Sequence, residues 1–180
     1  MSRTAEFSFK EHKKMFAGLD KLDKKFRQKT IVKAAREAGK PIRSAMRTRA
    51  PKATGLLKIS IAIKSKGFPR SRSAAAIVGP KVGVKGKKAD KIRQSSARAS
   101  KAEPANYAHL VEEKTKPHTI RPTKRGGVLM FGGVTIRGAV KHPGTRGRKF
   151  MKRAMKATRR AAFAKAIDTM QAAIKAEAVR

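Results

Sequence analysis

The residues in this chain that could do chemistry are four histidines (His12, His109, His118 and His142), one adjacent pair of acids (Glu112-Glu113), and a large surplus of lysine and arginine. A metal site or a general base would draw on the first two groups. None of the histidines falls in an HExxH or comparable ligand spacing, and there is no cysteine to complete a thiolate site. No metal or other cofactor is therefore expected. Glu112 and Glu113 stand near His109, but adjacent residues of a helix point in different directions, so the pair reads as a salt-bridged surface feature. The glycine runs Gly126-Gly127 and Gly132-Gly133 fit turns, because no GK[ST] or GxGxxG follows a strand and no GxSxG elbow occurs. The residues give no basis for an enzyme.

Charge remains. Lys and Arg number 47 against 11 Asp and Glu, a formal net charge of +36. Such a surface repels itself and seeks polyanions, either nucleic acid or an acidic protein. The densest stretch runs from Lys81 to Lys101, with Lys81, Lys85, Lys87, Lys88, Lys91, Arg93, Arg98 and Lys101 against the single acid Asp90, and no aromatic residue. Together with Arg70 and Arg72 these are the candidate DNA-backbone contacts. Phosphate neutralisation gives affinity that falls with salt and carries no sequence information. With one Tyr, no Trp and eight Phe mostly in core patterns, the chain lacks the aromatic platform that single-strand readers use. The arm fits a flexible loop and a polyanion-binding segment that orders on contact equally well, and nothing in it is expected to build a core.

The positioning elements follow from periodicity. Leu22, Phe26, Ile31, Ala35, Ala38, Ile42, Ala45 and Met46 recur at or near helical spacing, so residues 20–49 form an amphipathic helix, with a kink expected at Gly39-Lys40-Pro41. Ala50-Pro51 ends it. From Leu57 the apolar residues Leu57, Ile59, Ile61 and Ile63 alternate with Lys58, Ser60, Ala62 and Lys64, which predicts a half-buried strand with a basic outer face. Ala74 to Val78 supplies its hairpin partner. Tyr107, Leu110 and Val111 are expected on one face of a short helix. Strands follow in HTIRP, 118–122, from Val128 to Phe131 and from Val134 to Val140, the last two joined by a Gly132-Gly133 turn. Phe150, Met151, Ala154, Met155, Thr158, Ala162, Ile167, Met170 and Ile174 mark a final helix from about residue 148. Phe7 and Phe9 suit an edge strand or a first helical turn.

Strands flanked by helices predict an α+β fold, with a long N-terminal and a long C-terminal helix packed on an antiparallel sheet and a basic extended loop. At 180 residues the expectation is one domain, 1–180, with 80–105 as a basic low-complexity arm inserted in it. Leu, Ile, Val and Phe make up only 34 residues, while alanine contributes 29. So thin a core under such self-repulsion implies stabilisation by subunit contacts or a bound polyanion. The N-terminus lacks an apolar h-region and no run approaches a membrane span, so a soluble, untargeted chain is expected. On residues alone a ribosomal or other non-specific RNA- or DNA-binding protein also fits.

Three short segments, in order, add a family resemblance. RAPKATGLLKISI resembles the AP-x-x-TG-x-L-x-x-SI signature of the tail-completion or neck proteins of tailed bacteriophages, the HK97 gp10-like group. NYAHLVEEKT is similar to that group's YA-x-x-VE-x-GT, and KHPGTRGRKFMKRAM to its HPG-x-x-x-x-PF-L-x-x-A. The resemblance implies an α+β virion protein forming a ring, hexameric in expectation, where tail joins head around the passage for the genome. It also implies head-closure or connector and tail-terminator or tail-tube partners, a place in the virion, and assembly in the host cytoplasm with no membrane. Pro51, Thr54, Gly55 and Leu57 match the first motif. Tyr107, Ala108, Val111, Glu112 and Thr115 match the second, and His142, Pro143, Gly144, Phe150 and Ala154 the third. All are implied to be fold and interface positions.

Overall fold

The computed structural model describes residues 17–18, 20, 24–53, 55–95, 103–123, 126–131 and 133–178. The stretch around Phe7 and Phe9 lies outside them.

Helix α1, Lys24–Arg49, is the element the rest packs on. Its apolar stripe is bounded at the C-terminus by Arg47 and Arg49, whose charges suit the negative end of the helix. The helix continues through Pro41. Gly39 beside it serves packing: a Cβ there would lie 3.0 Å from Ile63 Cγ2 and 3.3 Å from Val78 Cγ2, so a bare backbone lets the following hairpin lie close.

The strand expected from Leu57 begins later. Residues Leu56–Ser60 form a short helix, α2, entered through Gly55 at φ 78. Leu56 and Leu57 are both buried, and adjacent side chains cannot share one face of a strand. On a helical turn, Leu56, Leu57, Ser60 and Ile61 can all point inward. Strand β1, Ile61–Phe68, then pairs antiparallel with β2, Ser73–Pro80, in a register running from Ile61↔Pro80 to Phe68↔Ser73. This hairpin covers one side of α1, and the last helix lies along α1 as well.

The basic stretch is partly folded. Helix α3, Lys87–Gln94, carries the buried Ala89, and Val84 is buried before it. These pack with Leu56, Ile59 and Ile92 as a satellite core, contrary to the expectation that this stretch builds none. Helix α4, Pro104–Glu112, buries Pro104, Ala108 and Glu112 and packs Tyr107 and Val111 inward. Leu110 is instead exposed. At about 100° per residue it points roughly opposite Ala108 and Glu112.

Among the described residues, three separate two-stranded antiparallel sheets replace the single expected sheet. Beyond the first hairpin, β3 (His118–Ile120) pairs with β6 (Val140–His142), and β4 (Val128–Phe131) pairs with β5 (Val134–Arg137). The run expected from Val134 to Val140 is split because Gly138, at φ 89, turns the chain from one sheet to the other. Helix α5, Phe150–Ala178, completes an α+β fold with long helices at both ends of the described chain. The main core joins Met46, Ala50, Leu57, Ile61, Ala108, Phe150 and Ala154. Among the described residues, six of the thirteen buried apolar ones are alanines, so the core is thin, as the composition implies. No described helix is long and apolar enough to cross a membrane.

Candidate functional site

The three motif segments meet in one place. Leu57 packs with Ala108, Phe150 and Ala154 in the main core, bringing one residue or more from each segment into contact. The second and third segments are also joined by hydrogen bonds. Thr115 N–H donates to the Thr145 carbonyl at 3.0 Å, and Thr145 N–H to Thr115 Oγ1 at 2.7 Å. Arg148 N–H donates to the Val111 carbonyl at 2.9 Å and Lys149 N–H to the Glu112 carbonyl at 3.0 Å. Gly144, at φ 87, is needed here because a Cβ on it would strike the Thr115 carbonyl oxygen. His142 Nδ1 accepts the Gly144 N–H at 3.0 Å, which steadies the turn.

Glu112 is the centre of this seam. Its side chain is buried, and its two oxygens accept the N–H groups of Met151 and Lys152, each at 2.9 Å. These are free donors of the first turn of α5, and a carboxylate suits the positive end of a helix. The salt-bridged surface pair expected from Glu112-Glu113 is therefore corrected: Glu112 is a buried helix cap supplied from a distant segment, and Glu113 is exposed. Pro51 is half-buried beside the seam's first segment, while Thr54 lies outside the described residues.

The candidate cations divide into groups. Lys81, Lys85, Lys87 and Lys88 converge with Lys58 and Arg47 on an open cleft of about 450 Å³, floored by Ile59, Val84 and Ala89. The satellite core places them: with Val84 and Ala89 held on Leu56, the lysines that flank them must point outward. Two further ties hold the platform. Lys81 N–H donates to the Ser60 carbonyl at 3.1 Å, and Gly83 N–H to Glu103 Oε1 at 3.1 Å. Lys91 is exposed on α3, and half-buried Arg93 faces Glu103 at 3.8 Å. Arg70 and Arg72 lie in the turn of the first hairpin. Eight paired residues at about 3.4 Å each put that turn roughly 27 Å from Lys81, so these two are not part of the cleft. Arg98 and Lys101 lie outside the described residues.

The cleft is electrostatically unsatisfied. Helix α3 opens at Gly86 with no side-chain cap, and Lys87 and Lys88 occupy its positive end, opposed only by Asp90 in the first turn. Arg47 is already engaged, donating from Nε at 3.2 Å and Nη2 at 2.8 Å to the Ile61 carbonyl. Burial, and then neighbouring Arg43, push its pKa down. What this arrangement can do is hold an anion by charge and by the free N–H groups at a helix start.

A second cationic hollow was not foreseen from the sequence. Arg49, Arg146, Arg148 and Arg153 line about 580 Å³ beside Phe150. The chain separates Arg49 from the other three by about a hundred positions, and only the α1–α5 packing unites them. Among the described residues no group of three or more His, Asp or Glu could hold a metal ion. His118 and His142 do face one another, ring centroids 5.0 Å apart, as register partners on β3 and β6.

The model of the HK97-gp10-like family, described as a candidate tail component of that bacteriophage, matches residues 13–113. The match takes in the first motif segment, the second as far as Glu113, and the cationic cleft, and ends before Thr115 and His142. No curated protein and no solved structure matches the chain.

Proposed function

The chain belongs to the HK97-gp10-like family of phage tail components, and from that premise we propose that it is a ring-forming neck or tail-completion subunit, joining the tail to the head-tail connector around the DNA passage. The ring is a homo-oligomer, a hexamer in this reading, with head-closure or connector protein on one side and tail-terminator or tail-tube protein on the other. It assembles in the host cytoplasm and remains in the virion. The chain acts as one domain, residues 1–180, with 80–105 as its basic arm.

The observation that carries this reading is the cationic cleft of Lys58, Lys81, Lys85, Lys87 and Lys88, held outward on a satellite core inside the matched region. A fixed array of lysines without aromatic neighbours suits phosphate at close range and gives no means of reading bases. That is what a passage needs if any genome sequence is to move through it. Bound phosphate would also relieve the repulsion among these lysines and the positive end of α3.

The test is a phage whose subunit carries Lys81, Lys85, Lys87 and Lys88 all as Gln. Heads that lose DNA, or that fail to join tails although the subunit folds, are expected. Normal DNA retention and tail joining would sink the assignment of this cleft to the passage.

A further inference from the structure

From Gly126 to Ile136 the chain has eleven residues without a charged side chain, its longest such run, although 32% of its residues are charged. This run makes most of the β4–β5 hairpin, and three of its apolar side chains face solvent: Met130 is 72% exposed, Val134 61% and Val128 45%. Among the described residues no other element packs extensively on either strand. A two-stranded hairpin alone in water is marginal, so this one needs a cover.

A matching apolar surface lies elsewhere on the same chain. Helices α1 and α5 leave an open groove of about 720 Å³ floored by Ala38, Ile42, Ala162 and two exposed side chains, Met155 and Phe163. Its rim is cationic, formed by Lys152, Lys156 and Arg159.

We infer that the β4–β5 hairpin of one copy seats in the α1–α5 groove of the next copy. The inference rests on the ring reading above and supplies its subunit contact. Charge selects the occupant: most of a second copy's surface would set several lysines and arginines against the rim, while the hairpin carries one cation, Arg137 at its open end, and enters by its uncharged loop end. Knob and socket are different surfaces, so the contact is head-to-tail and repeats around a closed ring. Burying Met130 and Val128, which share one face of the hairpin, against Met155 and Phe163 also removes two exposed apolar patches in one step.

The chain has no cysteine, so two exposed positions can be labelled cleanly. Full-length Met130→Cys and Phe163→Cys proteins are prepared separately, mixed in high salt after nuclease treatment, and treated with a flexible bis-maleimide. Cross-linked dimer at least tenfold above that from either preparation alone is expected, and the double variant should give a ladder that stops at the ring. Met130→Lys, placing a lysine against Lys156 and Arg159, should weaken self-association at least tenfold while the circular dichroism stays native. Cross-linking within Met130→Cys alone would mean hairpin-to-hairpin pairing and would overturn the inference. A ring without the Met130–Phe163 cross-link would leave the groove to a partner of different sequence, overturning the inference while the ring reading stands. A chain that remains monomeric by light scattering would overturn both.

Discussion

Replacing Glu112 tests whether the seam between the second and third motif segments holds α5 in place. Its carboxylate accepts two amide protons, from Met151 and Lys152, 39 and 40 residues further along the chain. A hydrogen bond to a charged group contributes about 1.5–3 kcal/mol, and a carboxylate at a helix N-terminus adds about 0.3–1 kcal/mol. The two bonds share one group, and water can reach the freed amides in part, so the sum is an upper bound. Glu112→Ala should therefore cost about 2–4 kcal/mol, a large share of the 5–15 kcal/mol typical of a domain. For a chain of this size that lowers Tm by about 5–15 °C. Glu112→Gln keeps one acceptor and sets an NH₂ against the other amide, so its loss should be intermediate. Thermal unfolding by circular dichroism at one fixed protein concentration reads the shift, since assembly would otherwise change it. Exposed Glu113→Gln is the control, expected within about 0.5 kcal/mol of the unmodified chain. If Glu112→Ala unfolded at the same temperature as that control, the capping role would be wrong.

Other outcomes follow from the same geometry. With Lys81, Lys85, Lys87 and Lys88 changed to Gln, the plot of log affinity against log salt for a DNA duplex of arbitrary sequence should flatten by about 3 to 4; an unchanged slope would show that these lysines do not meet phosphate. Arg47→Met removes both donors from the Ile61 carbonyl and should cost about 1.5–3 kcal/mol, seen as a lower urea midpoint at constant slope. Burial, and then the nearby Glu103, raise the pKa of Tyr107 above its ordinary 10.0. The folded state therefore keeps this proton longer than the unfolded state, and the contribution is complete below the ordinary value and lost as pH rises through the folded one. Stability measured from pH 9 upward should fall more steeply for the unmodified chain than for Tyr107→Phe; parallel curves would contradict this.

How much of this was legible in the sequence depended on the distance over which each feature is determined. Helices α1 and α5 announce themselves because their apolar spacing is local and long. The pairing of β4 with β5 is legible for the same reason, and the register Phe131↔Val134 bears it out, while Gly132 of the expected turn lies outside the described residues. The start of β1 was misread because Leu57, Ile59, Ile61 and Ile63 alternate, and a run this short fits either period. The adjacent pair Leu56-Leu57 was the available signal, since both are buried and only a helical turn allows it. The satellite core under the lysine-rich stretch depends on Val84, Ala89 and Ile92 meeting Leu56, and no window along the chain contains both partners.

The site shows the same division. The lysines of the cleft are plain in the sequence, but their convergence with Lys58 and Arg47 and their separation from Arg70 and Arg72 come from the hairpin register. Glu112 looked like one of two surface acids because its partners are backbone amides, which leave no mark in the side-chain pattern. The four-arginine hollow required α1 and α5 to bring Arg49 beside Arg146, Arg148 and Arg153.

The most direct test of the ring at the centre of this account is the mass of the full-length chain by multi-angle light scattering, in about 1 M salt and after nuclease treatment. At that ionic strength exposed charges are screened beyond about 3 Å, so an assembly held together by nucleic acid falls apart. The account predicts one closed species at a fixed multiple of 19.7 kDa, hexameric and unchanged on dilution well above its dissociation constant. A single peak at the monomer mass, with assembly returning only when DNA or RNA is added, would contradict it.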